Sequence, residues 1–384
     1  MAVISKRKMH AAFIVSPEYA DTVPTLSVVA TLVRRGCRVS YVTTDRFANL
    51  VRELGAEVIL QPRYRNDTSF RQALAAWMDG TLAVTIPFFE RNRPDVVIHD
   101  NVSVGRLIAT KLDIPAIQVS SDFRMDKGNP GWHSQRYFDA CLETASLVEE
   151  AWSQRGVIAD GYVFSRGKLN IYFYTKVFQP DDVLCDASCY YAGRCAPERP
   201  YSGHRTPKTH DDRTTALVST STFFTQGEDY FGMCIEALSG LQWHVMLLLG
   251  ENHDPTVFNR SADNVEVIQH RPQISLLPFA DLMIGAGGPS TVMEATYCGV
   301  PLLMMSHGNC EVEAYADNAV RLGLGRHLRK SETSADAIAE CALEMSRDHD
   351  LPMRVKQMQR VIREDPGGEE VANRICEYVE SVMC

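Results

Sequence analysis

The segment Asp281–Pro301, DLMIGAGGPSTVMEATYCGVP, holds the residues with the most chemistry in them. An apolar run ends at Ile284. The loop Gly285-Ala286-Gly287-Gly288-Pro289-Ser290-Thr291 then leads into a helical pattern beginning near Val292. Glycines let a backbone approach a ligand closely and take positive φ. A Ser or Thr cap leaves free N–H groups and a dipole that favours an anion. Together these describe a cradle for a diphosphate. An ordinary glycine-rich strand-to-helix turn has the same look, so the loop alone is weak evidence. Glu294, one turn into the helix, can accept bonds from ribose hydroxyls, or can simply complement the helix N-terminus. Upstream, His270-Arg271-Pro272-Gln273 follow an apolar run. They offer a flat ring for stacking a base and an amide for a ribose.

These loops need elements to hold them. Strands are expected at His10–Val15, Arg38–Thr43, Glu57–Leu60 and Asp95–His99, with a helix opened by Pro24 and stopped by Gly36, and another at Phe47–Leu54. The β-α-β-α-β order and the continuously apolar strands argue for a parallel, doubly wound sheet. A second series begins near Thr215, with strands at Ala216–Ser219, Val245–Leu249, Val265–Ile268, Leu282–Ile284 and Leu302–Met305. Between the two, Cys195–Arg213 is rich in proline and charge and reads as a linker. The fold class is therefore α/β: two Rossmann-like, doubly wound parallel-sheet domains facing a cleft, at 1–200 and 214–368, joined by 201–213. A last helix, 369–384, carries one apolar stripe and can pack back on the first domain. Ligands of open α/β sheets bind beyond the carboxyl ends of strands, so the sites belong in loops after strands.

Composition narrows the function. The chain has 384 residues, 45% hydrophobic, with a formal net charge of −9. Two cores can be buried, and nothing general attracts nucleic acid. No export signal and no membrane-spanning apolar run are read, so a cytoplasmic protein with no membrane span is expected. Eleven cysteines are scattered. The cluster Cys185, Cys189, Cys195 matches no usual zinc spacing, and no metal is expected.

The stretch from Asn264 to Tyr315, NVEVIQHRPQISLLPFADLMIGAGGPSTVMEATYCGVPLLMMSHGNCEVEAY, resembles the donor-site signature of nucleotide-sugar glycosyltransferases with the GT-B fold, above all the bacterial macrolide and antibiotic enzymes. RRGCRVSYVTTDRFANLVRELGAEVI (34–59), VFQPDDVLCDASCYYAGR (177–194) and ALVSTSTFF (216–224) resemble further segments of that family, in order. The resemblance implies that His270 stacks the base and that Gln273 and Glu294 hold the ribose, beside Arg271. It implies that Gly287, Gly288, Pro289, Ser290 and Thr291 carry the diphosphate, with Ser219 and Thr222 in a second loop near it. Three departures stand out. Ala286 replaces the family's usual His, Glu311-Val312 replaces its acidic-Gln pair, and His270 replaces a larger residue.

ADTVP, containing Asp21, resembles the variant of glycopeptide-antibiotic and sterol glycosyltransferases in which Asp is the proposed base. Asp before a proline-opened helix is also a good cap. In relatives an Asp at position 100 orients a catalytic His. Here it would meet a second carboxylate or bind acceptor or solvent, and Glu18 and His99 are further candidates. Trp77, Phe123 and Trp132 are candidates for an apolar acceptor pocket, although buried aromatics are more often core. The resemblance implies an inverting enzyme that moves a sugar from UDP or dTDP to a hydroxyl of a small natural product, with the nucleotide sugar as cosubstrate and no other cofactor. A nucleotide-sugar epimerase or hydrolase and a non-catalytic nucleotide-sugar binder are the alternatives, and a homodimer stays open.

Overall fold

Every position of the first strand is buried. Its side chains alternate between two cores, Ala11 and Phe13 with one, Ala12 and Ile14 with the other. A central strand covered on both faces must do this, because successive side chains point to opposite sides. The computed structural model describes residues 8–63, 70–100, 104–122, 139, 143, 146–147, 149–154, 167–179, 186–195, 213–220, 228–250, 253–258, 262–269 and 271–383.

Two compact units appear. One gathers most of the chain up to Pro197 together with Asp365–Cys384, and the other is Glu198–Glu364. The first contains β1 (His10–Ile14), α1 (Tyr19–Arg34), β2 (Arg38–Thr43), α2 (Asp45–Glu53), β3 (Glu57–Leu60), α3 (Phe70–Arg91), β4 (Val96–His99), α4 (Gly105–Lys111), β5 (Ala116–Ser120), β6 (Asn170–Tyr172) and β7 (Cys189–Tyr191). Its parallel sheet runs β3-β2-β1-β4-β5-β6-β7. The order reverses between β1 and β4, and the crevice at their carboxyl ends is where ligands of such sheets bind.

The second unit contains β8 (Thr215–Ser219), α5 (Glu228–Ser239), β9 (His244–Leu248), β10 (Val265–Ile268), β11 (Leu282–Gly285), α6 (Pro289–Cys298), β12 (Leu302–Met305), α7 (Cys310–Arg321), β13 (Gly325–Leu328), α8 (Ala335–Arg347) and α9 (Leu351–Arg363). Its sheet runs β10-β9-β8-β11-β12-β13, again all parallel, and reverses between β8 and β11.

The last helix, α10 (Gly367–Met383), belongs to the first unit. Val371, Ala372, Ile375 and Val379 join the core that holds Phe13, Leu26 and Leu32. Its start is tied down as well: the Gly367 N–H donates to Ala192 O at 3.0 Å, and Thr175 Oγ1 to Asp365 Oδ2 at 2.5 Å.

Two helix starts differ from the sequence expectation. Helix α1 begins at Tyr19, five residues before Pro24, so the proline lies inside it. Proline has no N–H for the carbonyl four residues back, here that of Ala20. Ser121 Oγ supplies the missing donor, bonding Ala20 O at 2.7 Å. The break that proline normally imposes is thereby repaired from a neighbouring strand end. Helix α6 begins at Pro289, not near Val292, and its N-cap is Gly288, with φ −65° and ψ 164° and no side-chain cap. Pro is at home in the first helical position, which moves Ser290 and Thr291 from the cap into the first turn. The segment around Trp77 is likewise a 22-residue helix, α3.

Candidate functional site

In the first unit, the residues after β1 and β4 are bonded to each other, and those after β1 and β5 to the first turn of α1. Asp100, directly after β4 and 4% exposed, accepts the Ser16 N–H through Oδ2. Ser16 O accepts from Thr22 Oγ1 at 3.2 Å, and Ser121, just past β5, holds Ala20 O. Asp21 sits half-buried in that same first turn. Beneath it, Tyr41 OH and Thr25 Oγ1 lie 2.7 Å apart. Burial holds the Tyr41 phenol well above its ordinary range, and the charges of Asp100 and Asp21 push in the same direction. Both carboxylates thus act on one buried hydroxyl, carried by β2.

The two further candidates here differ in character. His99 is 3% exposed, and its Nδ1 donates to Asp100 O at 2.8 Å. Burial lowers its pKa to about 4, so the ring is neutral and serves to position Asp100. Glu18 is the N-cap residue of α1 and makes no side-chain cap bond. Burial raises its pKa, while Arg46 at 3.9 Å lowers it. Trp77 packs into the core cluster with Leu74, Met78 and Phe89, and packing accounts for it.

In the second unit, the loop Ala286–Gly288 crosses the carboxyl end of β11. Gly287 has φ 87°, and a β-carbon there would lie 3.0 Å from Met304 Cβ and Cγ and 3.2 Å from Ala316 Cβ. Only glycine meets both demands. Gly288 has open space where a β-carbon would go. The first helical bond of α6 runs from the Val292 N–H to Gly288 O at 3.0 Å. The N–H groups of Ser290 and Thr291 therefore have no carbonyl within the helix to bond, and with the helix dipole they favour an anion. Ser219, the last residue of β8, lies across the switch point, and its carbonyl would be 3.3 Å from a β-carbon on Gly285.

Gln273, in a 3-10 turn shortly after β10, donates through Nε2 to Glu294 Oε2 at 3.1 Å. The structure thus joins two of the predicted residues, one from the β10 loop and one from α6. Arg271 is half-buried at the start of that same loop. The side chains of Thr222, His270, Glu311, Phe123 and Trp132 lie outside the described residues. Among the described residues no three His, Cys, Asp or Glu side chains gather as a metal site, and no helix is long and apolar enough to cross a membrane.

Comparison with known proteins settles the family. A model of the erythromycin biosynthesis protein CIII-like C-terminal domain matches residues 233–378. The NDP-glycosyltransferase YjiC of Bacillus subtilis (strain 168) is 30% identical over 395 residues, covering 96% of this chain and 97% of the relative. The chain belongs to the nucleotide-sugar glycosyltransferases. The demethyllactenocin mycarosyltransferase of Streptomyces fradiae is 27% identical, covering 97% of this chain and 87% of that enzyme. The solved structure of CalG4, the calicheamicin glycosyltransferase, superposes with a TM-score of 0.81 at 26% identity, over 97% of this chain and 99% of that one. The two parallel-sheet units are those of the GT-B fold.

Against that family background the departures acquire a structural form. Ala286 is 6% exposed and offers no polar side-chain atom. Val312 is 5% exposed, and its N–H is capped by Asn309 Oδ1 at 3.0 Å. Sequence reasoning missed Ser16, Thr22 and Ser121, which hold the Asp21 turn, and Tyr230, whose hydroxyl donates to Ser219 O at 3.1 Å. No spacing signal pointed to Ser121, which meets Ala20 across 101 residues of sequence.

Proposed function

We propose that this glycosyltransferase moves a sugar from UDP or dTDP to a hydroxyl of a small natural product, with inversion and with Asp21 as the base. The observation that carries the donor half is the Ala286–Gly288 loop opening α6 at the β8/β11 switch point, with the Gln273–Glu294 pair beside it. In this reading the diphosphate meets the N–H groups of Gly288, Ser290 and Thr291 and the ribose meets Glu294. Support comes from the helix N-terminus, which can take the diphosphate charge without a metal. The relatives named a demethyllactenocin mycarosyltransferase and an oleandomycin glycosyltransferase favour a natural-product acceptor.

The acceptor oxygen bonds to the anomeric carbon while its proton passes to the Asp21 carboxylate. The bond from that carbon to the diphosphate oxygen breaks, and the nucleoside diphosphate leaves with the electron pair. A positioned base contributes about 10²–10⁴-fold. Asp100 is assigned to positioning, because one of its oxygens is already held by the Ser16 N–H. Valine at 312 offers the sugar no amide, which suits a donor lacking one hydroxyl.

The test is Asp21→Asn and Asp21→Ala, assayed by mass spectrometry with a panel of UDP- and dTDP-sugars and hydroxylated natural products. Turnover should fall by about 10²-fold or more while UDP or dTDP binding stays at the wild-type level. Retained turnover would remove Asp21 as base. Rapid loss of donor without any acceptor would instead point to a hydrolase.

A further inference from the structure

The loop after β12, Ser306-His307-Gly308-Asn309, contains a strained residue. Among the described residues, His307 and Asp113 are the non-glycine residues with positive φ, and His307, at 53°, is the one in the second unit. A β-carbon makes that conformation costly, and such strain collects at functional sites. Glycine would take it freely, and glycine follows directly at 308, with φ 81°. Histidine at 307 is therefore not explained by the backbone.

The ring is placed by the same crevice that holds the glycine loop. It lies edge-on to Tyr230 on α5, with centroids 5.3 Å apart at 74°, and Tyr230 OH reaches Ser219 O at the end of β8. In the sheet, β8 and β12 flank β11. The Tyr230–His307 contact thus joins the β8 side to the β12 side at the carboxyl end of β11, where Ala286–Gly288 begin. Gly287 itself leans on Met304 and Ala316, which belong to the β12 and α7 elements on either side of the His307 loop.

The ring is half-buried, and its Nε2 is buried with no hydrogen-bond partner. An orphaned buried N–H is rarer and costlier than an orphaned acceptor, so the proton belongs on Nδ1. Burial, and after it the charge of Lys330, lower the affinity of this ring for a second proton. Lys330 is exposed, two residues past the neighbouring β13, and packs near Gly308. One imidazole N–H, with an ammonium near Gly308, therefore belongs to the loop after β12, the strand next to the one that leads into Ala286.

We propose that His307 is a donor-binding residue, its Nδ1–H bonding the diphosphate and supplying the contact absent at Ala286. This rests on the placement of the diphosphate at residues 286–291 given above.

The test measures binding of UDP, dTDP, uridine and thymidine to the full chain by calorimetry, in wild type and in His307→Ala, His307→Gly and His307→Asn. A hydrogen bond to a charged phosphate predicts about tenfold weaker UDP or dTDP binding for the Ala and Gly variants, with nucleoside binding unchanged. Asparagine tolerates positive φ and carries an amide nitrogen close to where Nδ1 stands, so His307→Asn should stay within about threefold of wild type. The Gly variant guards against misfolding, since it removes the strain along with the ring. Wild-type diphosphate affinity in the Ala and Gly variants overturns the assignment and leaves the donor site standing. Failure of the wild-type chain to bind either diphosphate overturns the donor site and this assignment with it.

Discussion

Gln273 Nε2 donates to Glu294 Oε2 at 3.1 Å, joining the loop after β10 to the second turn of α6. The bond fixes the orientation of the carboxylate. Two groups that act through one bond should not act independently. Glu294→Ala is expected to weaken UDP binding by about 10-fold or more, the range for hydrogen bonds to a charged acceptor. Gln273→Ala should weaken it less, and the double variant should lose less than the sum, with a coupling of about 0.5 kcal/mol or more. If Glu294 holds the 2′-hydroxyl, the loss should be smaller for dTDP, which lacks it. Strictly additive losses, equal for both nucleotides, would mean that the pair is structural only.

The two adjacent glycines of the donor loop should separate stability from binding. Gly287→Ala must carry a β-carbon at φ 87° and push it against Met304 and Ala316. That should cost about 1–2 kcal/mol and lower Tm by several degrees. Gly288 has φ −65° and open space around its missing β-carbon. Gly288→Ala should leave Tm unchanged within about 0.5 kcal/mol of stability. Its methyl group would stand where the diphosphate approaches, so UDP affinity should still fall. Thermal melts with and without UDP would show this, and unaltered ligand stabilisation in Gly288→Ala would place the diphosphate elsewhere.

Much of this architecture was legible because buried parallel strands announce themselves. The apolar runs at Arg38–Thr43, Glu57–Leu60, Val265–Ile268 and Leu302–Met305 are strands with those limits. The strands β6 and β7 were not legible, since Asn170–Tyr172 and Cys189–Tyr191 are too short to show a pattern. The helix starts were misread for a physical reason. Pro24 looks like a helix opener, but Ser121 bonds the carbonyl that proline leaves free, and no local signal encodes a donor 101 residues away. Ser290 and Thr291 look like caps, but the proline before them takes the first helical position. At the site, residue types spoke plainly for Gln273, Glu294 and Gly287. His307 was silent, because positive φ at a histidine cannot be seen in a sequence.

His99 makes the first unit acid-sensitive. An unfolded histidine takes up a proton as pH falls through about 6.5, whereas folded His99 stays neutral down to about 4. Between those values the unfolded chain binds the extra proton, so stability drops as pH drops. The stability is fully present above pH 6.5 and is lost toward pH 4, by roughly 3 kcal/mol for a shift of this size. His99→Asn keeps an amide N–H for Asp100 O and does not titrate. Urea midpoints should therefore show a shallower pH slope between 6.5 and 4 in that variant, and an identical slope would remove His99 as the sensor.

Asp365 works in the opposite sense, and it does so where the chain returns to the first unit. Burial raises its carboxyl to about 6, against the lowering effect of the Thr175 hydroxyl. A β-carbon on Gly193 would collide with this side chain, which shows how closely the turn at φ 69° wraps it. Below pH 4 both folded and unfolded chains carry the proton, and the site costs nothing. Between about 4 and 6 the unfolded chain releases its proton first, so the folded state binds more and stability falls as pH rises. Above 6 the penalty persists in full. Asp365→Asn removes the charge but can still accept from Thr175. It should therefore stabilise the protein above pH 6 by about 1 kcal/mol, allowing for solvent screening of a partly exposed group. The gain should vanish below pH 4. Because α10 packs against α1, the added stability should appear in hydrogen exchange of Val371–Val379 at neutral pH. A variant less stable than wild type at pH 7 would mean that the ionised carboxylate, not the protonated acid, holds Thr175 in place.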